Sequence, residues 1–189
     1  MGIGRSFTRI CFGLAVWALM SGCLPDTGAP EGIPQSPFYD LQGFFEAEVE
    51  RLQARQPKVE KTVSFDQSTE TERLDSINYR RELKVFLDSD INRPAWWDRY
   101  TIDSTWQDGA LQSIHYQAKA DDLKIRSIRL TFERDSLLAV DLELNAESAA
   151  TAFRQSLHYA PAEGYRIVTR QDVMLSAARE MRVEVAFLP

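Results

Sequence analysis

Cysteine and histidine are almost missing from this chain. Of 189 residues, only Cys11 and Cys23 are cysteines, and only His115 and His158 are histidines. So few sulfur atoms exclude a disulfide framework, which small exported domains use when their core is thin. The two histidines fall in no His-x-x-x-His or Glu-x-x-His spacing, so the sequence offers no zinc-binding helix. Each sits beside a tyrosine, as His115-Tyr116 and His158-Tyr159, in stretches that read as strands. They would form a metal or acid–base pair only if neighbouring strands brought them together. No Gly-x-Ser-x-Gly, phosphate loop or dinucleotide fingerprint is present, which removes the motifs of acyl hydrolysis, nucleotide hydrolysis and hydride transfer. Asp88 with Asp90, and Asp121 with Asp122, supply only fragments of a calcium loop, which needs alternating oxygen ligands, a glycine and a distal glutamate. Tyr165, Arg166 and Arg170 read as strand residues. The chain therefore shows no catalytic residue, no metal ligand set and no cofactor motif.

Positive charge is also scarce. The formal net charge is −6. An acidic domain repels phosphate backbones, so a nucleic-acid partner is not expected, and it gains nothing from anionic lipid head groups. A long apolar run is missing as well. The one apolar stretch, Ile10 to Met20, has about 11 residues against the ~20 needed to span a bilayer as a helix.

That stretch lies within an export signal. Met1 to Arg9 carries Arg5 and Arg9 and no acid, the apolar segment follows, and Ser21-Gly22 supplies small residues. Met20-Ser21-Gly22-Cys23 resembles the bacterial lipobox. The resemblance implies cleavage after Gly22 and acylation of Cys23 with diacylglycerol and a further palmitate-type chain. At ~0.8 kcal/mol per buried methylene, two or more chains make a stable membrane anchor. Losing residues 1–22 moves the net charge to about −8 and leaves Cys23 as the sole thiol. Leu24 stands where an aspartate would retain such a protein at the inner membrane. The expected location is thus the outer membrane, lipid-anchored, with the domain facing the periplasm; display at the cell surface is the other option.

Residues 23–37 read as the lipidated cysteine and a tether, with Pro25, Pro30, Pro34 and Pro37 spaced by Gly28 and Gly32. Residues 38–189 read as a single domain, long enough for a real core. Ser36 and Pro37 suit a helix start, and Phe38, Leu41, Phe45, Val49 and Leu52 form one apolar stripe to about Arg55. Lys58 to Phe65 alternates as an isolated first strand, Asp66 to Arg73 reads as a loop, and a second helix is expected from an Asp75 cap to about Asp88. From Arg99 the period is two. Asp108-Gly109 is a two-residue hairpin turn. Further turns are expected at Asp121-Asp122, Arg134-Asp135, Asn145 to Ser148 and Pro161 to Gly164. The fold class is α+β: two N-terminal helices packed on a curved antiparallel meander of about eight strands, one that can curl into a half-barrel.

The most distinctive stretch is Asp88 to Tyr100, with adjacent Trp96 and Trp97 on a short helical turn begun by Pro94. Trp96, Trp97, Tyr100 and Trp106 are the candidate ligand or partner contacts, as an aromatic lip. This block, the helix Phe38 to Leu52, Tyr79-Arg80-Arg81-Glu82-Leu83, and Leu157-His158-Tyr159 with Gly164-Tyr165 together resemble a group of uncharacterised envelope lipoproteins of Bacteroidota. The resemblance implies an envelope location and no particular activity. The architecture is loosely similar to half-barrel carriers of the periplasm, a fold-level analogy. The expected function is non-enzymatic: binding an apolar ligand such as a lipid or acyl chain, or a protein partner, through the sheet. The alternative is a structural subunit of an envelope complex.

Overall fold

A run of hairpins generates most of the sheet. The computed structural model describes residues 36–134, 136–174 and 176–189; Cys23, the expected signal and the expected tether before Ser36 lie outside the described residues. The elements in chain order are α1 (Leu41–Arg55), β1 (Val59–Phe65), β2 (Ser68–Leu74), α2 (Tyr79–Glu82), α3 (Lys84–Leu87), a 3-10 turn (Pro94–Trp96), β3 (Tyr100–Gln107), β4 (Ala110–Ala118), β5 (Ile125–Glu133), β6 (Ser136–Glu147), β7 (Thr151–Ala160), β8 (Gly164–Val173) and β9 (Arg179–Phe187). They form one antiparallel nine-stranded sheet in the order β2-β1-β9-β8-β7-β6-β5-β4-β3. β2 and β3 are its free edges, so the sheet is open. The class is α+β with few helices.

The structure departs from the sequence reading at five points. Lys58 to Phe65 is not isolated: β1 pairs with β9 on one side and with β2 on the other. The segment expected to be a loop is β2, Ser-Thr-Glu-Thr-Glu-Arg-Leu, exposed along nearly its whole length. An edge strand with both faces wet has no apolar alternation to betray it, and its charges guard a free edge. Asn145, expected in a turn, is instead paired to Arg154 as β6 continues to Glu147. The first helix starts later than expected. Its cap is Asp40, whose carboxylate accepts the Gly43 N–H at 2.8 Å, while the Ser36 hydroxyl accepts only from Phe38 N–H at 3.2 Å. The segment expected as one helix to Asp88 is two single turns meeting at Leu83, capped by Asn78 rather than Asp75.

Alternation along each strand separates two faces. On the inner face Ile114, Leu130, Val140, Tyr159, Tyr165, Val185 and Lys61 follow one another across the strands from β4 to β1. The α1 stripe Leu41, Phe45, Val49 and Leu52 and the α2–α3 residues Tyr79, Leu83 and Phe86 are buried in the same cluster. Phe45 meets Tyr159 edge-on at 5.1 Å and lies tilted by 33° against Phe86 at 5.0 Å, which adds directional contact to area burial. The outer face is polar. Asp103, His115, Arg129, Asp141, His158, Arg166 and Glu184 form one row across seven strands, with opposite charges side by side at several steps. A charged row of this kind suits a solvated face.

Candidate ligand groove

The helices do not cover the whole inner face. Two rows along from the buried row, past Ile128, Leu142, Leu157, Ile167 and Val183, runs Ile125, Leu144, Gln155, Thr169 and Met181, one residue from each of β5 to β9. Four interstrand spacings make this row ~19 Å long. It is the floor of a groove of about 460 Å³, shared with Ile167 and Val183 and walled on one side by Val85 and Ser89 at the α3 end. That volume lies in the range of small-ligand sites, roughly 300–1,000 Å³. The two polar residues of the floor satisfy each other, Gln155 Nε2 donating to Thr169 Oγ1 at 3.0 Å. Ser89 is buried and donates to Val85 O at 2.6 Å. What remains facing the groove is largely aliphatic. Beyond Met181 the row continues to Phe65, its cross-strand partner; these two are 40% and 47% exposed, so the apolar strip runs on into solvent.

The helical wall is fastened by carboxylates. Glu82 of α2 accepts from Lys61 Nζ at 2.8 and 2.9 Å and from the Tyr165 hydroxyl at 2.7 Å. Burial alone would raise the Glu82 carboxyl, but the ammonium and the hydroxyl outweigh it and hold it below its ordinary value. Burial, reinforced by this carboxylate, pushes the Tyr165 hydroxyl upward, so it stays a donor. Glu48 of α1 repeats the arrangement. It takes a two-pronged bond from Arg51 at 2.7 and 2.8 Å and the hydroxyl of Tyr159, which burial likewise raises.

The four aromatics singled out in the sequence are scattered relative to the groove, and none lines it. Tyr100 is buried, its hydroxyl donating to Ile125 O at 2.9 Å and raised by burial to about 12. It thereby holds the backbone at one end of the groove floor. Trp96 and Trp97 are half-buried against the core, with the Arg93 guanidinium 4.6 Å above the Trp96 ring. Trp106 stands free on edge strand β3, 63% exposed. The two histidines share the outer row but are three strands apart, on the order of 14 Å. His158 Nδ1 lies 2.7 Å from Asp141 Oδ1, and Arg129 and Asp141 stand between the imidazoles. Among the described residues no group of three or more His, Cys, Asp or Glu side chains could hold a metal.

The remaining acids are structural. Asp90 accepts from Asn92 N and Nδ2, both at 3.0 Å, and burial raises its carboxyl. Asp121 and Asp122 pair with Arg126 at 2.5 Å and Arg99 at 2.6 Å. The groove itself was not legible beforehand. Its floor is assembled from one residue in each of five strands, and nothing in a single strand distinguishes a covered inward residue from an uncovered one.

The fold and groove define an open antiparallel sheet that carries a half-covered apolar face. The chain matches no protein-family model, no characterised protein and no solved structure.

Proposed function

We propose that the protein is a non-enzymatic envelope lipoprotein that holds an apolar ligand, a lipid or acyl chain, in the groove on the inner face of its sheet. Acyl chains on Cys23 anchor it to the outer membrane, with the domain in the periplasm. The curvature of a half-barrel belongs to the same reading, the helices filling one part of the concave side and the ligand the other. The observation that carries it is the aliphatic lining of the groove between α3 and the sheet, where Ile167 and Val183 are half-buried and Met181 is exposed beside the buried Ile125 and Leu144. Exposed contiguous apolar surface of this kind marks a binding site in an otherwise polar protein. The separation of the histidines and the structural use of the acids favour a binding role over an enzymatic one.

The test is extraction. Protein carrying Cys23→Ser has no covalent chain, so any lipid found in an organic extract by mass spectrometry was held non-covalently. The expected result is a stoichiometric lipid that is lost when Leu144→Trp fills the groove. Extracts free of lipid, with no uptake of added lipid, would overturn it.

A second reading, a subunit of an envelope complex, has one observation of its own. The edge strand β3 is exposed along Thr101–Gln107 and presents Ile102 and Trp106. It carries a single charge, Asp103, unlike the guarded edge β2. A stoichiometric partner recovered from membranes and lost with Trp106→Lys would favour it.

A further inference from the structure

The groove rim departs in charge from the rest of the molecule. Lys61, Arg81, Lys84 and Lys124 line it against only Glu82 and Asp88, in a chain whose net charge is −6. Two of these cations are committed: Lys61 to Glu82 at 2.8 Å and Lys84 to Asp88 at 2.6 Å. Arg81 reaches Glu82 only at 3.8 Å, and Glu82 is already engaged by Lys61 and Tyr165. Lys124 is exposed and makes no ion pair among the described residues. Three carboxylates line the adjacent cavity with it, Asp121, Asp122 and Glu147, and the first two are bound by Arg126 and Arg99. An apolar floor thus meets two cations without a close acid of their own among the described residues, Arg81 on the α2 side and Lys124 at the β5 end, where Glu147 shares the adjacent cavity.

We infer that the groove takes a single-chain amphiphile with an anionic head, its chain along Ile167, Val183 and Met181 over the buried Ile125 and Leu144 and its head beside Lys124 at the β5 end, Arg81 lying on the opposite, α2 side. This rests on the apolar-ligand reading of the same groove and adds the class of head group. The physical reason is complementarity. A neutral head gains only water exchange at this rim, whereas a carboxylate or phosphate gains charge-assisted hydrogen bonds, which contribute more than neutral ones. Lys124 follows Leu123 and precedes Ile125, both buried, so its backbone is fixed at the end of the floor while its ammonium makes no ion pair among the described residues.

The experiment is equilibrium dialysis of the Cys23→Ser chain against radiolabelled palmitate, hexadecanol and lysophosphatidate below their aggregation limits, with acetate as a head-only competitor. Palmitate and lysophosphatidate are expected to bind at least about tenfold tighter than hexadecanol, a difference of ~1.4 kcal/mol. Acetate should not compete, because it lacks a chain. Lys124→Glu should remove most of the preference and leave hexadecanol binding unchanged, and 0.5 M salt should narrow it. Leu144→Trp should weaken all three ligands. Equal binding of palmitate and hexadecanol, or a preference that survives both Lys124→Glu and Arg81→Glu, overturns the head-group inference and leaves the apolar groove standing. Failure of all three to bind overturns the groove reading itself. Binding of lysophosphatidate without palmitate narrows the head to phosphate and supports the inference.

Discussion

Tyr159 and Tyr165 face each other across β7 and β8 on the inner face, and each donates its hydroxyl to a glutamate of a different helix. Tyr159 reaches Glu48 on α1, and Tyr165 reaches Glu82 on α2. One cross-strand pair therefore pins both helical segments to the sheet. Each glutamate is neutralised by a cation, Arg51 or Lys61, which makes burial of its charge tolerable. Removing one hydroxyl leaves a buried Glu48 or a half-buried Glu82 carboxylate short of a donor. Tyr159→Phe and Tyr165→Phe are each expected to cost about 1.5–3 kcal/mol in urea denaturation. In a double-mutant cycle Tyr165→Phe should couple to Glu82→Gln and not to Glu48→Gln. Additive behaviour of the Tyr165–Glu82 pair would show that the bond contributes nothing.

Acid should loosen the groove wall. The Glu82 carboxyl is held below its ordinary value of 4.5 in the folded protein. A depressed folded value means that the ionised form favours folding. This contribution is complete above the unfolded value and drains away as pH falls through the folded one. The stability difference between wild type and Glu82→Gln should therefore be largest at pH 6–7 and shrink towards pH 3. A difference that does not change across this range would mean that Glu82 is not linked to folding.

Gly164 should tolerate no side chain. It opens β8 at φ 134°, and a Cβ there would lie 1.9 Å from the Val185 carbonyl oxygen. The obstacle is the backbone of the adjacent strand, which cannot rotate away. Gly164→Ala should destabilise by several kcal/mol, beyond the ~1–3 kcal/mol of backbone strain alone. Gly109 at φ 80° has nothing within 4 Å of the same atom. Gly109→Ala should cost only ~1–2 kcal/mol for the left-handed conformation. Thermal melts of the two variants provide the comparison, and equal losses would contradict it.

The block from Asp88 to Tyr100 has a structural task that can be tested at Asn92. Its Nδ2 donates to Tyr39 O at 2.8 Å and to Asp90 Oδ1 at 3.0 Å, and its Oδ1 accepts from the Ser36 hydroxyl. It ties the chain leading into α1 to the loop after α3. Asn92→Ala should cost about 1–3 kcal/mol by stranding the Tyr39 carbonyl and Asp90. Amide exchange should rise at Tyr39, whose N–H donates to the Tyr116 hydroxyl at 3.0 Å. Unchanged stability would remove this role.

Sequence pattern carried the architecture wherever burial imposed a period. Leu41, Phe45, Val49 and Leu52 announced α1, and Val140, Leu142 and Leu144 announced β6, because each packs on one side only. Asp108-Gly109 announced its hairpin through backbone conformation, and both residues have positive φ. β2 escaped because it buries almost nothing. The second helix was overestimated because Tyr79, Leu83, Phe86 and Leu87 keep helical spacing across a break at Leu83, which no side chain marks. Capping was misjudged because Ser36, Asp40, Asp75 and Asn78 are all competent caps, and tertiary contacts decide among them. The tyrosine partners of Glu48 and Glu82 lie 111 and 83 positions away, beyond any local pattern.

Placing β9 between β1 and β8 also sets an order of events. The first strand hydrogen-bonds to the last: the Asp66 N–H bonds to Glu180 O, 114 positions on in the chain. Closing so long a loop is slow relative to hairpin formation. The hairpins from β3 to β8 can therefore zip together while the β1–β2 hairpin waits. Lys61 reaches Glu82 only after that hairpin docks, so the groove wall is completed last. Until that docking the aliphatic strip lacks its completed wall, which makes this interval the one in which the protein is most open to misassociation.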